Sequence, residues 1–138
     1  MMHDIEIKNM LRMAIDARDR AYAPYSGYKV GACLKGESGA FYLGCNVENA
    51  AYGPTNCAER TAVFKAISEC ERKFTAIAIT SNGETLPVPC GVCRQVLAEF
   101  CDPEMDVICA NKYGEYRAFT LGELLPFSFT GKDLEGVR

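Results

Sequence analysis

Three of the chain's eight cysteines lie in two short stretches, TNCAER at residues 55–60 and PVPCGVCR at residues 87–94. Cys90 and Cys93 are three positions apart, so a helix beginning there would carry both thiols on one face. The proline before Cys90 favours a helix start, and an apolar stripe follows it. Cys57 likewise stands where a second helix is expected to begin. The pattern predicts two helix N-termini that bring three thiols together.

Three thiols in this arrangement predict a zinc site of the catalytic kind. A structural zinc site has four protein ligands, whereas a catalytic one leaves a position for water. The sequence has no second C-x-x-C, and its one histidine, His3, is near the N-terminus. We therefore expect one zinc ion per chain, bound by Cys57, Cys90 and Cys93. Glu59, two residues from Cys57, is the group expected to deprotonate the water molecule.

Each stretch also has a simpler interpretation when taken alone. Asn56 could be an N-cap, with Glu59 completing a variant capping box. A lone C-x-x-C could be a redox dithiol or half of a structural zinc site. The combination of C-x-E with a later P-C-x-x-C is much more specific, because it is the signature of zinc nucleobase deaminases. Arg60 would offset part of the negative charge of three thiolates.

Composition narrows the class of protein. A chain of 138 residues with 49% hydrophobic content is expected to form one domain, residues 1–138, with a substantial core. No apolar run approaches the ~18 residues of a membrane helix, and no signal peptide is recognisable, so we expect a cytoplasmic protein. A net charge of −3 without a basic run argues against a nucleic acid polymer and favours a small ligand. The other five cysteines are expected to pack in the core: Cys33, Cys45, Cys70, Cys101 and Cys109.

Hydrophobic periodicity predicts strands alternating with helices. Helices are predicted over residues 4–22, 57–70 and 91–101, with a short capped helix after Thr120. Strands are predicted over residues 28–34, 40–45, 74–80, 105–110 and 115–119. The first two strands form a β-hairpin. Strand–helix alternation after the hairpin predicts an α/β fold, with helices on both faces of a mixed sheet.

The loop over residues 46–54 is rich in hydrogen-bonding side chains and leads directly to Cys57. Asn46 and Glu48 would point the same way if the preceding strand continued. An amide beside a carboxylate suits the hydroxyl groups of a sugar. The alternative is that Asn46 serves only the loop itself, in an Asx-turn.

Several stretches together resemble one family. They are APYS at 23–26, VGA at 30–32, GCNVENAAY at 44–52, CAERTA at 57–62 and PCGVCRQ at 89–95. The chain is similar, from about Ala21 to Leu125, to the small homotetrameric cytidine deaminases whose zinc ligands are all cysteine. That resemblance implies a three-layer α-β-α sandwich around a five-stranded mixed sheet. It also implies hydrolysis of cytidine and 2′-deoxycytidine to uridine and 2′-deoxyuridine plus ammonia, in pyrimidine salvage.

The resemblance assigns roles to individual residues. Cys57, Cys90 and Cys93 match the zinc ligands, Glu59 matches the proton-transfer carboxylate, and Arg60 matches an arginine that hydrogen-bonds ligand sulfurs. The expected substrate-binding residues are Asn46, Val47, Glu48, Tyr28, Ala58, Tyr52 and Phe129. Tyr52 and Phe129 correspond to residues that complete the site of a neighbouring subunit in a homotetramer. Tyr28 departs from the phenylalanine that the family often has.

Two other functions remain open from the sequence. A blasticidin-type antibiotic deaminase also carries C-x-E and P-C-x-x-C, although the loop Asn46–Asn49 argues against it. A zinc-stabilised binding or redox module could use Cys90 and Cys93 as a dithiol. Glu59 and the third thiol favour the deaminase.

Overall fold

The computed structural model describes residues 2–137, which form one five-stranded sheet with helices on both faces. The helices are α1 (Asp4–Arg18), α2 (Ala58–Ser68), α3 (Gly91–Phe100) and α4 (Leu121–Leu124), and a 3₁₀ turn covers Gly131–Leu134. The strands are β1 (Val30–Gly36), β2 (Phe41–Cys45), β3 (Phe74–Ser81), β4 (Asp106–Ala110) and β5 (Tyr116–Thr120). The α/β class is confirmed.

The strand order is β2-β1-β3-β4-β5, so the predicted hairpin forms one edge of the sheet. β3 and β4 pair in parallel, and the other neighbouring strands are antiparallel. A parallel pair needs a crossover, and α3 supplies it. Because α3 leaves the carboxyl end of β3, its first turn lies at the same end of the sheet as the end of that strand. One parallel pair among antiparallel pairs makes the sheet mixed, so this prediction is confirmed.

Two apolar layers cover the sheet. One layer joins α1 to one face, through Met10, Ala14, Cys33 and other buried side chains. The second layer joins α2 and α3 to the opposite face, with Leu34 and Leu97 among its members. Alternate residues of β1 serve opposite layers, as the pleat requires. The three-layer sandwich is thus confirmed.

Two glycines allow helices to lie directly on the hairpin. A Cβ added at Gly31 would lie 2.9 Å from the Cα of Arg18, inside the backbone of α1. A Cβ added at Gly44 would lie 2.5 Å from the backbone nitrogen of Ala62, and would also overlap the carbonyl oxygen of Ala58. Gly44 therefore sets how closely the first turns of α2 approach β2.

The first helix is shorter than predicted. α1 ends at Arg18 and does not continue to Tyr22. The reason is a tertiary one, since the Tyr22 N–H donates to the carbonyl of Asn46 (3.0 Å) and the Tyr22 carbonyl accepts from the Glu48 N–H (2.8 Å). The chain leaves the helix to pair with the loop that follows β2.

Core packing of the remaining cysteines holds only in part. Cys33 and Cys109 are fully buried, and Cys45 and Cys101 are half-buried. Cys70 is exposed, and its φ of 70° places it in the left-handed region just after α2. The helix stripe ends before it, so the prediction that Cys70 packs in the core was wrong.

Within residues 2–137, no helix combines the length and apolarity that a bilayer crossing requires.

Candidate metal centre

The structure brings Cys57, Cys90 and Cys93 together at the N-termini of two helices. Cys57 is the N-cap of α2 and Cys90 is the N-cap of α3, while Cys93 lies in the first turn of α3. The three sulfur atoms lie within 4.8 Å of one another, and the Cys57 and Cys90 sulfurs are 3.9 Å apart. The prediction of Asn56 as N-cap was wrong, because its backbone pairs with Val47 and its side chain donates to a threonine in α2.

The sulfur positions fit a tetrahedral zinc ion. With metal–sulfur bonds of about 2.3 Å, two sulfurs on a tetrahedron are about 3.8 Å apart. The observed separation of 3.9 Å between Cys57 and Cys90 matches that value and is far longer than a disulfide. Within residues 2–137 neither N-cap sulfur makes a capping hydrogen bond to its own helix, so both remain available to bind a cation. The helix N-termini add partial positive charge beside the thiols.

The charges at the centre also favour a cation. The pKa of Cys57 is lowered to about 5, first by a hydrogen bond from the Cys93 thiol and then by Arg60, against the effect of burial. The pKa of Cys93 is raised, because its thiol donates to Cys57 and because it is buried near Glu59. Three adjacent thiolates repel one another, so a doubly charged ion is needed for all three to ionise.

Arg60 contacts the cluster directly. Its Nη2 donates to the Cys57 sulfur at 3.3 Å, and its buried Nε has no hydrogen-bond partner among residues 2–137. A guanidinium held this way reduces the negative charge of a three-thiolate site. The rest of the first turn is fixed from the Cys57 carbonyl, which accepts from the Thr61 N–H at 3.0 Å and from its hydroxyl at 3.2 Å.

Glu59 is a buried carboxyl group beside the thiols. It lies in the first turn of α2 and is only 5% exposed. Burial raises its pKa to about 7, and the negative charge of Cys57 adds to this effect, while Arg60 opposes it. A carboxyl with a pKa near neutrality can both accept and release a proton at physiological pH. The arrangement provides a proton carrier next to a potential metal ion.

Asn46 and Glu48 are both engaged with the segment before β1. The Asn46 amide accepts from the Val30 N–H and donates to the Tyr28 carbonyl, both at 2.8 Å. The Glu48 carboxylate accepts from the N–H groups of Tyr25 (2.9 Å) and Ser26 (3.1 Å), and from the Ser26 hydroxyl. These hydrogen bonds, the hydroxyl first, lower the pKa of Glu48. Asn46 retains one N–H and one lone pair for a ligand.

The other predicted substrate residues lie at different depths. Ala58 is fully buried at the first position of α2. Val47 is partly exposed, and its backbone pairs with that of Asn56, the residue before Cys57. Tyr52 is 78% exposed and Phe129 is 59% exposed. Tyr52 and Glu48 line a cavity of about 320 Å³. A larger cavity of about 900 Å³ lies where β3 begins, and its lining includes none of the three clustered thiols.

Known proteins are similar to this chain over most of its length. A sequence profile described as "Cytidine and deoxycytidylate deaminase zinc-binding region" matches residues 5–109. The chain belongs to this deaminase family. It is 46% identical over 130 residues to a cytidine deaminase of Sporosarcina psychrophila, covering 94% of this chain and 96% of the relative. It is 47% identical over 125 residues to a cytidine deaminase of Halalkalibacterium halodurans, covering 91% and 95%.

Solved structures agree. The crystal structure of cytidine deaminase from Burkholderia pseudomallei superposes with a TM-score of 0.86 at 44% identity, covering 94% of this chain and all of that one. The cytidine deaminase from Mycobacterium tuberculosis gives a TM-score of 0.80 at 36% identity, covering 91% and 98%. The resemblance predicted from sequence is confirmed at the level of family and fold.

The sequence analysis assigned no role to two residues that hold the candidate site in place, Arg94 and Gln95. Arg94 donates from Nε to the carbonyl of Pro89 (2.7 Å) and from Nη1 to that of Leu124 (2.6 Å), so it ties the cysteine loop to the end of α4. Gln95 Nε2 donates to the carbonyl of Phe129 at 2.8 Å. Both residues adjoin the cysteine motif. That adjacency, and their place in the PCGVCRQ stretch that carries the family resemblance, are sequence signals that could have pointed to them.

Proposed function

We propose that the protein is a zinc-dependent cytidine deaminase, which hydrolyses cytidine and 2′-deoxycytidine to uridine and 2′-deoxyuridine with release of ammonia, in pyrimidine salvage. The observation that carries this proposal is the buried carboxyl of Glu59 beside three clustered cysteine sulfurs at two helix N-termini. The relatives named cytidine deaminase, at 46% and 47% identity over most of the chain, support it.

Cys57, Cys90 and Cys93 would hold the zinc ion. Bound there, zinc would supply Lewis-acid activation of the attacking water molecule. Arg60 keeps the Cys57 sulfur anionic by donating to it. This donation also limits the electron density that three thiolates would otherwise give to the ion.

Glu59 moves the protons of the reaction. It accepts one from the water that attacks C4 of cytosine and delivers it to N3. It then transfers a proton from the added oxygen to the leaving amine, so that water and cytidine become uridine and ammonia. A pKa of about 7 allows the carboxyl to alternate between the two forms.

Asn46 and Glu48 are proposed to bind the ribose 3′-hydroxyl. Glu48 is an anion with acceptor capacity, and Asn46 has a free N–H. Because both cytidine and 2′-deoxycytidine carry a 3′-hydroxyl, this site would accept both. Val47 and the backbone of Ala58 would flank the nucleoside, and Tyr28 would stack on the base.

We propose a homotetramer with shared active sites, in which one catalytic domain spans residues 1–138 and acts in the cytoplasm on a small nucleoside. The exposed rings of Tyr52 and Phe129 support this assembly, since each would complete a neighbour's site. Gln95, by holding the Phe129 carbonyl, would set where that ring projects. Neither a membrane nor a nucleic acid polymer is an expected partner.

The test compares wild type with Glu59→Gln in a spectrophotometric cytidine assay, with zinc content measured on the same samples. We expect one zinc per chain in both proteins, and a loss of turnover of at least about 100-fold in the variant. Normal turnover by the variant would remove Glu59 as proton carrier. Faster turnover of blasticidin S than of cytidine by wild type would favour the antibiotic deaminase, and a reducible Cys90–Cys93 disulfide without zinc would favour the redox module.

A further inference from the structure

The segment just before β1 is hydrogen-bonded on both sides by asparagine side chains. The backbone ladder of β1 begins at Val30, although alternation in the sequence begins at Tyr28. β1 lies between β2 and β3, and each of these neighbours is followed directly by an asparagine, Asn46 and Asn82 respectively. Both asparagines reach back to residues 27–30.

The two asparagines make matching sets of three hydrogen bonds. Asn46 donates its N–H to the Val30 carbonyl (3.3 Å), accepts from the Val30 N–H (2.8 Å) and donates from Nδ2 to the Tyr28 carbonyl (2.8 Å). Asn82 donates its N–H to the Lys29 carbonyl (3.1 Å), accepts from the Lys29 N–H (3.0 Å) and donates from Nδ2 to the Gly27 carbonyl (2.9 Å).

Each side-chain amide thus takes the place of the next peptide group of its strand. An amide carries one acceptor and a donor in the same relative positions as a peptide, which is why asparagine can imitate the backbone. The segment is thus hydrogen-bonded from both sides although it lies outside β1. Asparagine suits both positions because its amide carries a separate donor and acceptor. Aspartate would lack the N–H donor, and serine would have one hydroxyl in place of the two groups.

The residue placed by this arrangement is Tyr28. Carried back two residues from Val30, the alternation of β1 puts Tyr28 on the face of Val30, Ala32 and Leu34. That is the face on which α2 and α3 pack, with the thiols at their N-termini. The loop that contains Asn82 also contacts the Tyr28 ring, since a Cβ added at Gly83 would lie 3.0 Å from Cε1 of Tyr28. One loop therefore fixes both the backbone and the ring of this tyrosine.

We propose that Asn82 is a positioning residue for the deamination reaction, which acts by holding Tyr28 where its ring meets the pyrimidine. The inference rests on the proposed function, in which Tyr28 stacks on the base. Asn82 would act through the Tyr28 segment, since its side chain is hydrogen-bonded to Gly27 and Lys29. Stacking contributes about equally to the bound substrate and to the transition state, so its loss raises KM and leaves kcat nearly unchanged.

The test is a double-mutant cycle on KM for cytidine with Asn82→Ala and Tyr28→Ala. Asn82→Ala alone should raise KM by about 3- to 10-fold, with kcat changed by less than about 2-fold. In the Tyr28→Ala background the same substitution should have no further effect on KM, because the group it positions is already absent. Asn82→Asp keeps the acceptor for Lys29 and should be intermediate.

Asn111→Ala is the matched control. Asn111 is a buried asparagine that donates to the Glu84 carbonyl in the same loop at 2.9 Å, but it makes no hydrogen bond to residues 27–30. Its loss disturbs the loop without removing a hydrogen bond to the Tyr28 segment. The increase in KM should therefore be larger for Asn82→Ala than for Asn111→Ala. Equal increases would show that the Asn82 effect comes from general disorder of the loop and not from the lost hydrogen bonds to residues 27–30.

Amide hydrogen exchange tests the positioning without any substrate. The Lys29 N–H has the Asn82 side chain as its acceptor, so Asn82→Ala should accelerate exchange at Lys29 by about 10-fold or more and leave β3 protected. Unchanged exchange at Lys29, or a KM effect of full size in the Tyr28→Ala background, would overturn the proposal. If wild type failed to turn over cytidine, the proposed function would fall, while the exchange result would still decide the positioning.

Discussion

Substituting Gly44 by alanine tests how the candidate metal centre is held against the sheet. The added methyl group would lie 2.5 Å from the Ala62 backbone nitrogen, which is about 1 Å short of an ordinary contact. It would also overlap the carbonyl of Ala58, the residue between Cys57 and Glu59. Backbone atoms cannot move aside as a flexible side chain can. The first turn of α2 must therefore shift by about 1 Å, and Cys57 and Glu59 must move with it.

Two effects of Gly44→Ala should be measurable. Overpacking of this kind costs about 1–3 kcal/mol, which corresponds to a fall in Tm of roughly 3–12 °C for a domain of this size. A displacement of about 1 Å at the reacting groups should lower kcat/KM for cytidine by about 100-fold. Both are obtained from purified protein, by thermal unfolding and by the spectrophotometric assay.

Gly91→Ala is the control for Gly44→Ala. Gly91 begins α3, and a Cβ at this position would meet no atom within 4 Å. Alanine is the better helix former, so the Tm of Gly91→Ala should stay unchanged or rise by a few degrees. A Gly44→Ala protein with the Tm and kcat/KM of wild type would refute the close docking of α2 on β2.

Two further substitutions probe single contacts. Arg60→Gln removes the hydrogen bond to the Cys57 sulfur, so we expect zinc affinity to fall by about 10- to 100-fold. Chelator competition measures this affinity. An affinity equal to wild type would show that the guanidinium does not support the thiolates. Thr120→Ala removes the capping box of α4 and should cost about 0.5–2 kcal/mol in denaturant unfolding with an unaltered kcat, whereas unchanged stability would mean that α4 is held by packing alone.

The sequence was informative wherever the structure depends on local pattern. The period of the apolar residues predicted the three long helices and five strands, and the capping box at Thr120 and Glu123 is present as predicted. The C-x-x-C spacing predicted that Cys90 and Cys93 would lie together, because a first helical turn leaves little geometric freedom. Cys57 is 33 residues before Cys90, and only the combination of C-x-E with P-C-x-x-C connected it with them. The capping box and the Cys90–Cys93 pair are predictable because their interacting residues are close together in the sequence.

The sequence was much less informative where distant segments hydrogen-bond through side chains. Asn82 follows a strand and precedes a glycine, which predicts only a turn, yet its partners are more than 50 residues away in the chain. Tyr22 continues a helical pattern but pairs with the loop after β2, since tertiary contacts override propensity at a helix end. The projection of Phe129 depends on Gln95, which periodicity does not connect with it.

Cysteine at two helix N-caps is unusual in terms of helix stability. Serine, threonine, aspartate and asparagine are favoured at this position because they accept from the first N–H groups of the helix. Cys57 and Cys90 make no such hydrogen bond, so α2 and α3 begin without a side-chain cap. A cation bound by the proposed ligands would compensate for this loss of stability, since thiolates gathered around it would tie the two helix starts to each other.

Cys90→Ser separates the two contributions, because serine is a good N-cap and a poor zinc ligand. With a chelator present, the variant should be more stable than wild type by about 0.5–2 kcal/mol, since α3 gains a cap. With zinc present the order should reverse, because wild type gains free energy from binding the ion and the variant gains much less. Wild type should therefore be the more stable protein with metal, and Cys90→Ser the more stable protein without it. A variant that was less stable under both conditions would show that Cys90 stabilises α3 without the ion, and one that was more stable under both would show that the three-sulfur cluster is no metal centre.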